Sequence, residues 1–219
     1  MVFDTTAAAC SIALVSDGKI IASYSRQFDF GQAEVLLPEI KNMLNQNQIS
    51  FNQISGIFVC VGPGSFTGVR ASISAAKVFA LANPQMVISG FSAFDAYITE
   101  LSDVDISDCN AVIIETRRDD FYVRFYDCTL SPLSEPQALN RDDIIAFLKK
   151  NGAPVTLLGD GVERFLNSPS GLVLHSIKMP DHISVSALAN VATAQLKNHK
   201  INFPKPLYIR AADVTVNTK

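Results

Sequence analysis

The glycine-rich segment GPGSFTGVR, at residues 62–70, is the strongest candidate for chemistry in this chain of 219 residues. It follows a continuous apolar run at residues 56–61, which is typical of a buried strand, and it leads into a helical pattern at residues 68–82. Glycines permit a tight turn, and the first N–H groups of a helix attract anions. The segment therefore predicts a phosphate-binding loop with these candidate residues: Gly62, Gly64, Ser65, Thr67 and Gly68.

The segment departs from two well-known phosphate-binding loops. A Walker A loop needs a Lys before a Ser or Thr after its last glycine, and none stands there. A GxGxxG loop needs a third glycine where this chain has Thr67. A tight strand-to-helix turn that binds nothing is therefore an equal alternative.

A second candidate is the sequence DTT, at residues 4–6, which follows the apolar start of the chain. An Asp followed by hydroxyl side chains at the carboxyl end of a strand can hold a metal-bound water and a phosphate. Asp4, Thr5 and Thr6 are therefore added to the candidates for nucleotide binding. Taken alone, a turn in which Asp4 caps the local backbone is the better interpretation.

Other catalytic patterns are missing from the sequence. The three histidines form neither HxxxH nor HExxH, and Ser65 does not lie in a GxSxG motif. The four cysteines form no CxxC, which favours buried free thiols over disulfides or zinc: Cys10, Cys60, Cys109 and Cys128. We therefore predict no catalytic residue and no metal-binding residues.

Hydrophobic patterns predict two similar halves. In the first, strands at residues 2–5, 9–16 and 19–26 precede a helix at 32–46, a strand at 56–61, a helix at 68–82 and a strand at 86–89. In the second, strands at 111–115, 121–126 and 135–139 precede a helix at 142–150, a strand at 155–159, a helix at 161–166, a strand at 172–177 and a helix at 184–198. Two tandem βββαβα units predict a duplicated α/β fold with a cleft between lobes.

The charges are distributed unevenly between these halves. Residues 1–98 carry six acidic and five basic side chains, whereas residues 99–219 carry fifteen and thirteen. No apolar run is long enough to span a membrane, and the first residues resemble no signal peptide, so we expect a cytoplasmic protein. The net charge of −3, without a basic stripe, argues against autonomous binding to nucleic acid. A charge-poor first half is expected to be partly core and partly interface.

Six segments in this order resemble the TsaB (YeaZ) family across nearly the whole chain. They are VFDTT at 2–6, CSIAL at 10–14, GPGSFTGVR at 62–70, GFSAFDA at 90–96, ETRRDDFY at 115–122 and PLYIR at 206–210. The glycine segment matches the family's signature loop without a substitution. The resemblance implies a duplicated RNase H-like or actin-like (ASKHA) two-lobe fold, with mixed sheets flanked by helices. We place the lobes at residues 1–100 and 101–219, with the last segment able to pack back on the first lobe.

The resemblance also implies a role in forming N6-threonylcarbamoyladenosine at position 37 of tRNA. In that system TsaD is the catalytic paralogue, TsaE is an ATPase and TsaB is the dimerisation partner of TsaD. TsaD-type proteins carry a metal-binding HxxxH motif, and Ala93 and Tyr97 occupy the two histidine positions here. Alanine has no donor atom and a neutral phenol is a poor ligand, so we expect a non-catalytic subunit without a metal.

We expect the helices at 32–46 and 68–82 to lie side by side and to dock on TsaD, or on a second copy when TsaD is absent. Obligate interfaces of this kind bury about 2,000 Å² or more. The candidate interface residues are Leu37, Ile40, Lys41, Leu44, Arg70, Ser74, Lys77 and Val78. No intrinsic cofactor is expected, ATP or ADP would lie at the interface of the complex, and tRNA would be contacted only indirectly. The alternative is a nucleotide-dependent phosphotransferase or ATPase of the same fold class.

Overall fold

Two five-stranded mixed sheets form the framework of the computed structural model, which describes residues 1–28, 31–101, 104–151 and 154–210. The first sheet has the order β3-β2-β1-β4-β5, with β1 (Val2–Asp4), β2 (Ala9–Ser16), β3 (Lys19–Gln27), β4 (Gly56–Cys60) and β5 (Val87–Phe91). The second has the order β10-β9-β6-β7-β8, with β6 (Cys109–Glu115), β7 (Asp120–Asp127), β8 (Gln137–Asn140), β9 (Val155–Leu158) and β10 (Leu174–Ser176).

The two sheets repeat one topology. In each, the first three strands form an antiparallel meander, and the fourth strand pairs in parallel with the first strand of that meander. The fifth strand then pairs in parallel with the fourth. This repetition confirms the predicted duplicated α/β fold with two lobes. The division between residues 100 and 101 stays a prediction.

Within the described ranges, six α-helices accompany the sheets: α1 (Leu36–Gln46), α2 (Phe66–Ala82), α3 (Ala93–Ile98), α4 (Arg141–Asn151), α5 (Val162–Leu166) and α6 (Val185–Lys197). A short 3₁₀ turn at Phe51–Gln53 precedes β4. Helix α1 begins four residues later than the predicted residue 32. Pro38 then lies in the first turn, where its missing N–H would have no helical partner in any case.

The described residues form three hydrophobic clusters between the layers. Helices α1 and α2 cover one face of the first sheet, where Ile40 and Ile73 share a cluster with Ile57. The other face packs on α3 and α6 in a cluster that also includes Val112 of β6, so the two lobes share a core. Helices α4 and α5 cover the outer face of the second sheet, through residues such as Phe165. Helix α6 comes from the second half of the chain but contacts β1, β2 and β3.

The four cysteines are free thiols. Cys10, Cys60 and Cys109 are buried as predicted, whereas Cys128 is exposed. The expectation of burial is wrong for Cys128 because it lies in a surface turn just after β7. Within the part of the chain that the structure describes, no helix has both the length and the apolar character needed to cross a membrane.

Candidate functional site

A cleft of about 1290 Å³ lies between the lobes and gathers part of the predicted site. Residues of both lobes line it, including the glycine segment and the hairpin turn that joins β6 to β7. Four of the eight phosphate candidates lie along this cleft: Thr6, Gly64, Ser65 and Thr67. The other four do not line it: Asp4, Thr5, Gly62 and Gly68.

The glycine segment packs directly on the turn that follows β1. The Ser65 N–H donates to the Thr6 carbonyl oxygen at 2.7 Å. A Cβ atom on Gly64 would lie 2.4 Å from that same oxygen, and one on Gly68 would lie 1.8 Å from the Thr5 carbonyl oxygen. Both glycines are therefore required for the close approach of two backbone segments, a requirement that does not depend on a ligand.

Hydroxyl groups at this junction bind the protein itself. Thr5 Oγ1 donates to the Gly68 carbonyl oxygen at 2.8 Å and lies 2.8 Å from Ser72 Oγ. Ser65 Oγ accepts the Gly68 N–H at 3.3 Å and thereby caps the N-terminus of α2. The tight-turn alternative thus accounts for Thr5, Ser65 and both glycines, and phosphate binding by the loop stays a prediction.

Asp4 is buried beneath this junction. Its Oδ1 accepts the Thr6 N–H at 2.8 Å. This bond is the one expected if Asp4 caps the local backbone, the alternative to metal binding given above. Its Oδ2 has no hydrogen-bond partner among the described residues. Burial raises the pKa of Asp4, and hydrogen bonding from Thr6 offsets part of that rise.

Ala93 and Tyr97, the two positions compared above with an HxxxH motif, lie one turn apart on α3 and line the cleft. Burial, with further contributions from Asp160 and other acidic groups, raises the pKa of the Tyr97 phenol well above its usual range. That hydroxyl makes no hydrogen bond to the residues that the structure describes. Within the described ranges, no group of three or more His, Cys, Asp and Glu side chains could hold a metal ion.

The second lobe contributes polar groups that the sequence reasoning did not select. Burial and the neighbouring charge of Glu115 raise the pKa of Asp160 to about 7, although Asp160 Oδ1 accepts the Glu115 N–H at 2.9 Å. Arg164 binds both carboxylate oxygens of Glu115, at 2.6 and 2.9 Å. Burial opposes ionisation of Glu115, but this pairing outweighs it and lowers the pKa of Glu115. The signal that could have revealed Asp160 is its place between two glycines, directly after a buried strand.

The predicted interface residues fall into two groups. Those on the outer faces of α1 and α2 are exposed: Leu37, Lys41, Arg70, Ser74 and Val78. Lys77 is half-buried. Ile40 and Leu44 are only 3 and 8% exposed, because they project from α1 onto the first sheet. Their selection as interface residues is therefore corrected: both belong to the core of this chain.

Leu81 was missed by the sequence reasoning and is the most exposed apolar residue of α2, at 82%. It extends the exposed row formed by Ser74 and Val78 by one further turn. Its spacing of three residues from Val78 was the signal available in the sequence. We use the name docking surface for the exposed side chains Leu37, Lys41, Ser74, Val78 and Leu81.

Residues 31–122 match the protein family described as "TsaD: tRNA N6-adenosine threonylcarbamoyltransferase". The chain is also 26% identical over 162 residues to the Bacillus subtilis tRNA threonylcarbamoyladenosine biosynthesis protein TsaB. That alignment covers 73% of this chain and 69% of the relative. The TsaB protein of Escherichia coli is 34% identical over 84 residues, which cover 37% of this chain and 35% of the relative.

Two solved structures from Pseudomonas aeruginosa are similar in fold. The structure of its YeaZ protein has a TM-score of 0.75 with 21% identity and covers 94% of this chain and 97% of that one. A second, described as an uncharacterized protein with similarity to peptidase YEAZ, has a TM-score of 0.79 with 20% identity and covers 95 and 98% of the two chains. These similarities support the duplicated α/β fold.

Proposed function

We propose that this chain, a member of the TsaB (YeaZ) family, is a non-catalytic subunit that binds TsaD. In this role it takes part in the formation of N6-threonylcarbamoyladenosine in tRNA. The observation that carries the proposal is the docking surface. Its apolar side chains lie on the side of α1 and α2 that faces away from the first sheet, and none of the residues that the structure describes buries them.

The residue types in the cleft support a non-catalytic role. Ala93 has no donor atom, and the pKa of Tyr97 is raised, so its phenol stays neutral at physiological pH. A neutral phenol is a poor metal ligand. The Cys60 thiol lies 3.5 Å from the hydroxyl of Thr6, and burial raises its pKa well above the usual range, which disfavours the nucleophilic thiolate.

The docking surface supports binding of another protein. Leu37 is 53% exposed and Val78 is 61% exposed, with Leu81 beyond them on the same face of α2. Val78 and Leu81 are neighbours one turn apart on α2, and exposed apolar side chains that cluster in this way mark sites of protein association. TsaD is the occupant that the family membership favours, and a second copy of this chain would use the same surface when TsaD is absent. In this scheme TsaE supplies the ATPase, ATP or ADP lies between subunits, and tRNA is reached through TsaD.

Co-purification with TsaD from the same organism tests the interface. Leu37→Asp and Val78→Asp place a charge on the docking surface, and each is expected to reduce recovery of the complex at least tenfold. Ile21→Asp is the matched control, because Ile21 on β3 is 49% exposed but lies outside the docking surface. Equal recovery of TsaD by all three variants and the unaltered chain would reject the assignment.

A nucleotide-dependent phosphotransferase or ATPase is the alternative function. It would use the cleft beside Thr6 and the glycine segment. The close packing of that segment on the β1 turn already accounts for its glycines, so the geometry favours the subunit role. Calorimetry of the isolated chain with ATP and Mg²⁺ separates the two: tight binding with turnover supports the enzyme, and weak or absent binding supports the subunit.

A further inference from the structure

The segment at residues 202–210, which we call the clasp, runs along both lobes after α6. At its start, the Gly90 N–H donates to the Asn202 carbonyl oxygen at 2.7 Å. Further along, the Leu207 N–H donates to the Val61 carbonyl oxygen at 2.8 Å. These hydrogen bonds fix the backbone of the clasp against β5 and against the start of the glycine segment.

Two glycines of the first lobe leave room for the clasp. A Cβ atom on Gly90 would lie 3.0 Å from Pro204 Cα, and one on Gly62 would lie 3.1 Å from the Leu207 carbonyl oxygen. Gly90 would also meet the Val61 side chain at 2.6 Å. The glycines that open GPGSFTGVR and GFSAFDA thus allow the clasp to approach closely at two separate points.

Near its end, the clasp is bound to the first turn of α2. The ring of Tyr208 stacks on Phe66, with 5.7 Å between ring centroids and 26° between planes. Arg70 Nε donates to the Tyr208 hydroxyl at 3.2 Å, and the Arg70 guanidinium lies 3.8 Å from the centroid of the Phe66 ring. Tyr208 is therefore held by two side chains one turn apart on α2, on the helix that carries most of the docking surface.

Two residues later, the clasp is bound to the second lobe. Arg210 forms an ion pair with Asp120, and the two side chains are 31 and 13% exposed. Asp120 begins β7 at the rim of the cleft, and its carbonyl oxygen accepts Thr116 Oγ1 and Arg164 Nη2, each at 2.6 Å. Arg210 therefore joins the hydrogen-bonded network of the hairpin turn at residues 115–120.

We propose that the clasp couples the docking surface to the hairpin turn at the rim of the cleft. Tyr208 and Arg210 are only two residues apart, and Leu207 beside them is fixed by its backbone hydrogen bond, so a change at one end reaches the other. Arg70 is exposed and lies one turn before Ser74 of the docking surface, so a protein docked there can reach it. Drawing Arg70 away from Tyr208 loosens the Arg210–Asp120 pair and frees the hairpin turn. The coupling regulates access to the cleft. It rests on the proposed function in one respect, which is that the docked protein is TsaD.

Hydrogen exchange of residues 115–122 in the isolated full-length chain tests the coupling. Tyr208→Ala changes only the α2 end of the clasp, yet it is expected to accelerate exchange of the hairpin turn about fivefold, as the loss of a partly exposed ion pair would. Arg210→Ala gives a similar acceleration, and the double variant is no faster than either single one. Phe203→Ala is the matched control, because Phe203 also belongs to the clasp and contacts α2, with its ring centroid 5.2 Å from Lys77 Nζ, but it lies on the other side of the Leu207 hydrogen bond from Tyr208.

One result would overturn the coupling. In it, Tyr208→Ala accelerates hydrogen exchange on α2, but the hairpin turn exchanges at the same rate as in the unaltered chain. Should Tyr208→Ala fail to fold, Tyr208→Phe keeps the ring and removes only the bond from Arg70. Its hairpin turn is then expected to exchange faster than that of Phe203→Ala, and equal rates overturn the proposal.

Addition of TsaD separates this inference from the proposed function. Bound TsaD is expected to accelerate exchange of the hairpin turn in the unaltered chain and to add nothing in Arg210→Ala. If TsaD binds and leaves the hairpin turn unchanged, the coupling to docking is wrong. If TsaD does not bind at all, the proposed function fails, while the variants of the isolated chain still decide whether the clasp couples its two ends.

Discussion

Replacing Gly68 by alanine places a methyl group against the backbone of Thr5. The added Cβ atom would lie 1.8 Å from the Thr5 carbonyl oxygen and 2.7 Å from its carbonyl carbon, both of which are backbone atoms. Backbone cannot rotate aside as a side chain can, so α2 or the β1 turn must shift. A shift also lengthens the bond from Thr5 Oγ1 to the Gly68 carbonyl oxygen.

These contacts set the magnitude of the effect. Overpacking of a well-packed site costs about 1–3 kcal/mol, and loss of one buried hydrogen bond costs about 1 kcal/mol. Alanine in a helix interior regains about 1 kcal/mol relative to glycine. The free energy of unfolding of Gly68→Ala should therefore fall by about 1–3 kcal/mol, which corresponds to a decrease in Tm of roughly 2–12 °C for a chain of this size.

Urea unfolding followed by far-UV circular dichroism measures this change in a chain that has no tryptophan. Ser74→Ala is the matched control on the same helix, because Ser74 is exposed and its replacement should change the stability by less than about 0.5 kcal/mol. A Gly68→Ala variant as stable as Ser74→Ala would refute the close-packing explanation of the glycine segment. The glycines would then need another explanation, with anion binding the first to examine.

Three further predictions concern the second lobe and α3. Asp160 loses its proton above about pH 4 in the unfolded chain but keeps it up to about pH 7 in the folded chain. The free energy of unfolding should therefore fall as the pH rises from about 4 to 7. Asp160→Asn should reduce this dependence on pH, as measured by urea unfolding at pH 5 and 7.5. An unchanged slope would contradict the raised pKa. Arg164→Ala leaves Glu115 without its bidentate partner and should cost about 1–3 kcal/mol at pH 7, a loss that should shrink at pH 3. Ser92→Ala removes the acceptor of the Asp95 N–H and should lower stability by about 1 kcal/mol in thermal unfolding, whereas no loss would argue against the cap.

Local patterns in the sequence predict most of the elements. Patterns within a few consecutive residues account for three of them. The residue pair Asp17-Gly18 indicates the turn between β2 and β3, and hydrophobic periodicity indicates the buried strand β4 and helix α2. The duplication is visible because both halves repeat one order of elements. Asn140 caps the N-terminus of α4, as its residue type and its place just before the helix favour, since the Asp143 N–H donates to Asn140 Oδ1 at 2.9 Å.

The remaining features depend on contacts between distant parts of the chain. Helix α3 is too short for a periodic pattern, although its capping box of Ser92 and Asp95 stood in the sequence. The face of α1 that is buried depends on how the helix lies on the first sheet. In the structure this face carries Ile40 and Leu44, which therefore belong to the core. The binding of Arg210 to Asp120 joins residues ninety positions apart, and no local pattern indicates such a pair.

The central claim is that this chain supports TsaD rather than acting as an enzyme. Reconstitution of threonylcarbamoyladenosine formation on tRNA with TsaD and TsaE, with and without this chain, tests it most directly. The account predicts modification only when the chain is present, its loss with Leu37→Asp, and full activity with Ile21→Asp. Equal modification without the chain, or full activity with Leu37→Asp, would contradict the account.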